Sequence, residues 1–208
     1  MLNKILIFLT AFTVSSSIAF AQKTATDDKP KEPFKRDVIY YPTPDATVDA
    51  MLKAANIQPN DVLYDLGSGD GRISIRAAKD YGIKTVGVEI DPKLVKQSQA
   101  AAEAAGVANL ATFKVENFFR TDLRKATIVT LFLSESLNLS LKPKMLRELP
   151  ASARIVSHDF PMGNWKPDQT IKVPWIPGYF RTVYVWNVPQ KNLKRKYKRR
   201  ANRTKRRS

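Results

Sequence analysis

There is no cysteine in the 208 residues, which excludes disulfides, zinc–cysteine sites and a thiol nucleophile. Histidine occurs once, as His158. One histidine without cysteine leaves too few of the usual ligands for a catalytic metal, so none is expected. Acidic residues are scarce, 19 against 35 lysines and arginines, for a net charge of +16. The imbalance is local. Residues 191–208 carry 11 cations and no acid, and without them and Lys4 the net charge falls to +4. Such a run repels itself and is expected to be disordered. It would bind polyanions, nucleic acid included, through counterion release and without sequence preference. A purely solubilising tail accounts for it equally well. Tyr197 is its only aromatic, so base stacking has little to build on. The apolar stretch from Ile5 to Val14, interrupted by Thr10 and Thr13, is short for a membrane-spanning helix.

With Lys4 before it and Ala19-Phe20-Ala21 after it, that stretch reads as a secretory signal cleaved before Gln22. An uncleaved membrane anchor is the alternative. The expected organisation is a signal peptide over 1–21, a flexible linker over 22–37, one folded domain over 38–190 and a basic tail over 191–208. The length suits one good core rather than two. The expected address is exported, either periplasmic or secreted. No pattern sets the oligomeric state.

Within the domain, helix-like and strand-like periods alternate. A helix is predicted from Pro44-Asp45 onward, with Val48, Met51, Leu52 and Ala55 on one face. Strands are predicted at 62–66, 85–89, 111–115, 127–133 and 154–157, with helices at 72–81, 92–105 and 141–149. Tyr179 to Val188 alternates aromatic and β-branched residues and pairs in expectation with Ile171-Lys172-Val173 as a final hairpin. Strands alternating with helices imply an α/β, doubly wound (Rossmann-like) sheet.

Val62 to Gly71 reads Val-Leu-Tyr-Asp-Leu-Gly-Ser-Gly-Asp-Gly. An apolar strand runs straight into three alternating glycines, and a helix opens at Arg72. Gly67, Gly69 and Gly71 let the chain turn tightly and approach a ligand. Glu89 follows Gly69 by 20 residues, at the end of the next strand, where a carboxylate can accept both hydroxyls of a ribose. The dinucleotide fingerprint is G-x-G-x-x-G, whereas Arg72 stands here where its third glycine would be. Asp65 lies two residues before Gly67. It would repel a pyrophosphate but attract an ammonium. S-adenosylmethionine has an ammonium, a sulfonium and no phosphate, so it fits better than NAD. An ordinary glycine-rich strand–turn–helix is the bland alternative.

Asp65 to Arg72 resembles motif I of class I S-adenosylmethionine methyltransferases. Tyr41-Pro42-Thr43-Pro44, the run Ala126 to Leu133, Val156 to Phe160 and Gly163-Asn164-Trp165 narrow the likeness. Together they resemble the small protein-lysine methyltransferases related to the mitochondrial enzyme that methylates the ATP synthase c subunit, and their bacterial relatives. The resemblance implies a seven-stranded methyltransferase sheet, mostly parallel with a C-terminal antiparallel hairpin. It implies S-adenosylmethionine as cofactor and a protein lysine as substrate. Asp65, Gly67 and Gly69 would hold the methionine end and Glu89 the ribose, with Ser68 also among the cofactor-binding residues. At the place where the family usually has an Asp for the adenine amino group, this chain has Asn117. An amide oxygen can accept the same bond without charge. Phe118 would pack on the ring, or would belong to the core.

Two residues are candidates for the transfer itself. Glu135 follows the fourth strand and can take a proton from a lysine ammonium. A loop glutamate is also often merely solvated. Tyr41, before a rigid Pro42-Thr43-Pro44 turn, can line a lysine channel through cation–π contact, or pack on the sheet. Asn138 is expected to cap the following helix or to bond the substrate. His158, beside Asp159, is either a base near neutral pH or structural. Two further functions stay open: an RNA- or polyanion-directed methyltransferase, and an exported nucleoside- or anion-binding domain without turnover. The address and the cofactor pull apart, because S-adenosylmethionine is made in the cytoplasm.

Overall fold

A computed structural model describes residues 41–189; the signal-like segment, the linker and the basic tail lie outside them. The strands are β1 (Val62–Leu66), β2 (Lys84–Glu89), β3 (Ala111–Val115), β4 (Ile128–Leu131), β5 (Arg154–His158), β6 (Gln169–Ile176) and β7 (Tyr179–Asn187). The helices are α1 (Asp45–Ala54), α2 (Arg72–Tyr81), α3 (Pro92–Ala104) and α4 (Glu135–Glu148). One seven-stranded sheet has the order β3-β2-β1-β4-β5-β7-β6. β1 to β5 pair in parallel, and β7 runs antiparallel to both β5 and β6. This is the sheet expected from the sequence.

Helices cover both faces. α1 and α2 bury Val48, Met51, Leu52, Ile73 and Ala77 against Leu63, Ile128, Val156 and Val183. α3 covers the same side at the β3 edge with Val95 and Ala102. α4 packs Leu141 and Met145 on the other face, against Leu66, Leu131 and Ile155. β4, with all four residues buried, is a strand covered on both faces and reads as an unbroken apolar run for that reason.

Local signals set most boundaries. Gly82 ends α2 in the left-handed region, which glycine adopts without a Cβ penalty. Asp91 caps α3 by accepting from Lys93 N–H at 2.8 Å, with Pro92 at the first helical position. Three boundaries differ from expectation. α4 starts at Glu135 rather than near Leu141, because Ser134 accepts from Leu137 N–H and the helix accommodates Pro143 inside it. Asn138 is therefore not a cap; it lies buried within α4. β4 is shorter than the apolar run that contains it. β6 is longer than Ile171–Val173 and passes through Pro174, with a register shift between Pro174 and Ile176, as befits proline on an edge strand.

Candidate functional site

The strand order reverses between β1 and β4, and the crevice beyond the carboxyl ends of those strands is where open α/β sheets bind ligands. The glycine loop occupies this place. Gly67, Gly69 and Gly71 all have positive φ, at 80°, 54° and 80°. Two of these glycines face the protein itself. A Cβ on Gly67 would lie 2.7 Å from Leu133, and one on Gly71 would lie 2.7 Å from Phe113 and 2.8 Å from Ser98. The close approach expected toward a ligand is, at those two positions, an approach by core side chains. Gly87, which the strand pattern hid, admits Phe113 in the same way.

Ser68 is buried, and its hydroxyl has no hydrogen-bond partner among the described residues. It turns inward, 2.8 Å from where a Gly87 Cβ would stand. Its side chain is thus aimed at the sheet, so a contact of Ser68 with a cofactor would come from its backbone. Its amide donates to Val88 C=O at 3.1 Å.

Asp65 sits near the end of β1, 2% exposed, where its carboxylate accepts from the Thr130 hydroxyl at 2.7 Å. Burial pushes its pKa up to about 7; the Thr130 bond opposes that, and the Asp70 and Glu89 charges add to it. Glu89 folds back onto the loop. One oxygen accepts from Gly69 N–H at 3.0 Å, and the other from Ile90 and Asp91 N–H at 2.7 and 3.0 Å. A carboxylate has about four acceptor positions, so with three of them taken Glu89 shapes the loop and keeps one position for a ribose hydroxyl. A carboxylate held partly protonated by burial, with other carboxylates adding to the shift, is a place where a cationic ligand is favoured. That is the chemistry of an amino-acid ammonium beside a ribose, and these residues fit S-adenosylmethionine.

Asn117 follows β3 and accepts from Phe119 N–H through its side-chain oxygen at 2.9 Å, which leaves that oxygen one further lone pair. Phe118 packs against the α4-side core and tilts against Phe119, centroids 4.9 Å apart.

A second group gathers at the same edge, from distant parts of the chain. Tyr41, 53% exposed, meets the edge of Phe132 with centroids 6.5 Å apart. Phe132 stacks on His158 at 3.8 Å. Thr43 bonds to His158 Nδ1 at 3.2 Å through its hydroxyl and accepts from Arg72 at 2.9 Å through its carbonyl. Arg72 in turn grips Asp70 of the glycine loop at 3.0 and 2.6 Å. The strap Tyr41–Pro44 is thereby tied both to the loop and to β5. The sequence held no local sign of these ties.

His158 is fully buried, and burial pulls its pKa down to about 4, with Asp159 opposing and Arg181 reinforcing. It is neutral at pH 7 and presents no surface to a substrate, so its role is structural. Asp159, at φ 58°, accepts from Thr182 N–H at 2.7 Å and Arg181 at 2.9 Å. Asn138 donates to the Ser157 hydroxyl at 3.1 Å and to Phe160 C=O at 2.9 Å, which pins α4 to the end of β5. Glu135 is exposed in the first turn of α4 rather than in a loop, a position that suits a carboxylate. The structure thus gathers Asp65, Gly67, Gly69 and Glu89 around one loop and puts Tyr41 at the same edge. Trp165 packs on Trp186 and accepts its indole N–H at 2.7 Å through the backbone, so the Gly163–Trp165 segment braces the sheet.

Comparison with known proteins agrees with this geometry. The ANTKMT methyltransferase domain matches residues 65–169. A protein-lysine N-methyltransferase of Saccharolobus islandicus (strain REY15A) is 45% identical over 65% of this chain and 85% of its own length. The Homo sapiens lysine N-methyltransferase of the ATP synthase c subunit is 39% identical over 51% of this chain and 45% of its own length. The chain therefore spans most of the archaeal relative and about half of the human one. Among solved structures, an RNA methyltransferase from Salinibacter ruber in complex with S-adenosyl-L-homocysteine is 48% identical, with TM-score 0.68 over 73% of this chain and 95% of that one.

Proposed function

Because the chain belongs to the ANTKMT methyltransferase domain family and is an S-adenosylmethionine-dependent methyltransferase, we propose that the methyl group goes to a lysine side chain of a protein. The observation that carries this reading is the aromatic mouth beside the cofactor loop. Tyr41 and Phe132 present rings at the carboxyl edge, where cation–π attraction would guide an ammonium-bearing side chain. The archaeal and human relatives, both named as lysine methyltransferases, support it.

In this reading Asp65, with the backbone of Gly67, Ser68 and Gly69, holds the amino-acid end of the cofactor. Glu89 holds the ribose, Asn117 takes the adenine amino group and Phe118 lies against the ring. The bound cofactor supplies a methyl group on a sulfonium, open to in-line attack. The chain's part is to place a neutral amine in line and exclude water, which is where most of the rate of such a transfer arises. The amine nitrogen would receive that methyl group, and Glu135 or solvent would take the proton that the amine gives up.

The Salinibacter ruber relative, named for RNA, and the cationic residues 191–208 favour a second reading in which the acceptor is RNA. Incubating the full chain with radiolabelled S-adenosylmethionine and an extract of its own cells separates the two. Label that survives ribonuclease, is lost to protease and is recovered as methyl-lysine is expected. Label lost to ribonuclease would replace the first reading with the second. Export also belongs to the proposal, resting on residues 1–21. A mature protein beginning at Gln22 supports it, and one beginning at Met1 in the cytoplasm overturns it and removes the problem of cofactor supply.

A further inference from the structure

Seven consecutive residues, Pro174 to Phe180, are exposed at the turn between β6 and β7, and none is charged. Trp175, Ile176, Tyr179 and Phe180 are 41%, 48%, 65% and 57% exposed. Soluble domains rarely leave such a run uncovered unless it meets something. Its position follows from the register. His158, the last residue of β5, pairs with Val183, so the part of β7 before Val183 projects beyond the carboxyl end of the sheet. The hairpin tip therefore protrudes on the edge that carries the cofactor loop, and Arg181 links it to the strap, 5.7 Å from the Tyr41 ring.

We propose that this tip is a membrane-docking element that seats the methyltransferase on an anionic lipid surface. Tryptophan and tyrosine beside aliphatic residues form the composition that settles at the boundary between headgroups and acyl chains. Cations stand directly behind the apolar tip. Lys172 bonds the Thr182 hydroxyl at 2.7 Å, and Arg181 stacks on Trp175 at 3.9 Å while bound to Asp159. Between Gln169 and Pro189 the sequence has no Asp or Glu, and Lys172 and Arg181 are its cations. An anionic bilayer complements both features, because it takes the apolar tip into its interface and attracts the charge around it. Nucleic acid complements only the second. Base stacking needs free ring faces along a cationic groove, whereas this tip projects outward, includes Pro174, Ile176 and Pro177, and has the Trp175 ring covered by Arg181. No helix among the described residues is long and apolar enough to cross a membrane, and the tip itself would attach at the surface. Docked in this way, the Tyr41 edge faces the lipid, and acceptor lysines at a membrane surface are the ones within reach. The docking itself does not rest on which acceptor the enzyme uses.

The test is co-flotation of the full chain with phosphatidylcholine vesicles, with and without phosphatidylglycerol, at low and high salt. The parent should float with the phosphatidylglycerol vesicles and retain part of that binding at high salt, where attraction by the tail is screened. The variant W175S/Y179S/F180S, altered only at exposed positions, should lose at least roughly tenfold in the salt-resistant binding, because three large apolar side chains no longer enter the interface. Its affinity for S-adenosylmethionine should be unchanged, which reports that it folds. Brominated acyl chains should quench tryptophan fluorescence in the parent and not in W175F, although W175F still floats. Three results would each overturn the proposal: a parent that does not float, a triple variant that floats as well as the parent at high salt, or parental fluorescence untouched by bromine. So would a triple variant that keeps its vesicle binding but loses RNA or acceptor-protein binding, since the tip would then serve that macromolecule.

Discussion

Thr43 and His158, 115 positions apart in the chain, meet through a hydrogen bond of 3.2 Å between Oγ1 and Nδ1. The bond closes the strap Tyr41–Pro44 onto β5. It uses a histidine that burial keeps neutral, so the strap is held by an uncharged pair at the wall of the site. Protonating His158 would force a charge into a place with Phe132 stacked on the ring and Arg181 nearby.

The stability consequence has a definite sign. The folded pKa of His158 is lowered from 6.5 to about 4. Its contribution is therefore present above pH 6.5 and lost as the pH falls through about 4. Urea unfolding across this window should show the parent losing up to about 3 kcal/mol more than His158→Gln, which has no imidazole to protonate. Parallel slopes for the two proteins would mean that His158 is not the titrating group.

Asp65 has the opposite sign. Its folded pKa is raised from 3.8 to about 7, so in the ligand-free protein its contribution is greatest below pH 3.8 and is lost as the pH rises through about 7. An ammonium needs the ionised form. Binding of S-adenosylmethionine should tighten as the pH rises through about 7, then weaken once the ligand's own amino group, near 8, loses its proton. Titration calorimetry in buffers of different ionisation heat should detect a proton released on binding just below neutrality. Asp65→Asn should abolish that release and weaken binding by about 1–3 kcal/mol, the range for a charged hydrogen bond. Unchanged affinity in Asp65→Asn would remove Asp65 from the cofactor site.

Arg72 joins the glycine loop to the strap, with Asp70 on one side and the Thr43 carbonyl on the other. A lysine cannot reproduce that planar fork. Arg72→Lys should lower kcat/KM for the methyl acceptor by roughly tenfold through misplacement of the strap, while the Kd for S-adenosylmethionine moves much less. An effect confined to cofactor affinity would show that Arg72 serves the loop alone.

How far the sequence reveals this molecule depends on the range of each interaction. The run from Val62 to Arg72 is legible because strand, turn and helix start are adjacent and each follows from its own residues. Glu89 is legible because the crossover sets its distance from the loop. The start of α4 is obscured by Pro143, which marks a break that the helix tolerates, and by Asn138, a residue type that caps helices but here donates to Ser157 and Phe160. The need for glycine at Gly71 and at Gly87 comes from Phe113, a packing partner on another strand that periodicity cannot name. The strap is legible as a rigid turn, but its partners Arg72 and His158 lie 29 and 115 positions away from Thr43.

Residues 191–208 provide the last discrimination, between a protein and an RNA acceptor. They hold 11 cations and no acid, so they would dominate any contact with a polyanion, and each neutralised phosphate would release counterions and steepen the salt dependence. Lysine methylation guided by the Tyr41 mouth should largely survive deletion of this segment, because the pocket lies within residues 41–189. An RNA-directed enzyme should lose most of its substrate affinity. We expect the truncated protein to bind S-adenosylmethionine as the parent does, to methylate its protein acceptor at a similar kcat/KM, and to bind RNA no longer. Retained RNA binding with an unchanged salt slope would place the polyanion contact on the folded domain. Loss of protein methylation on truncation would make the tail part of acceptor recognition and would shift the substrate assignment away from the aromatic mouth.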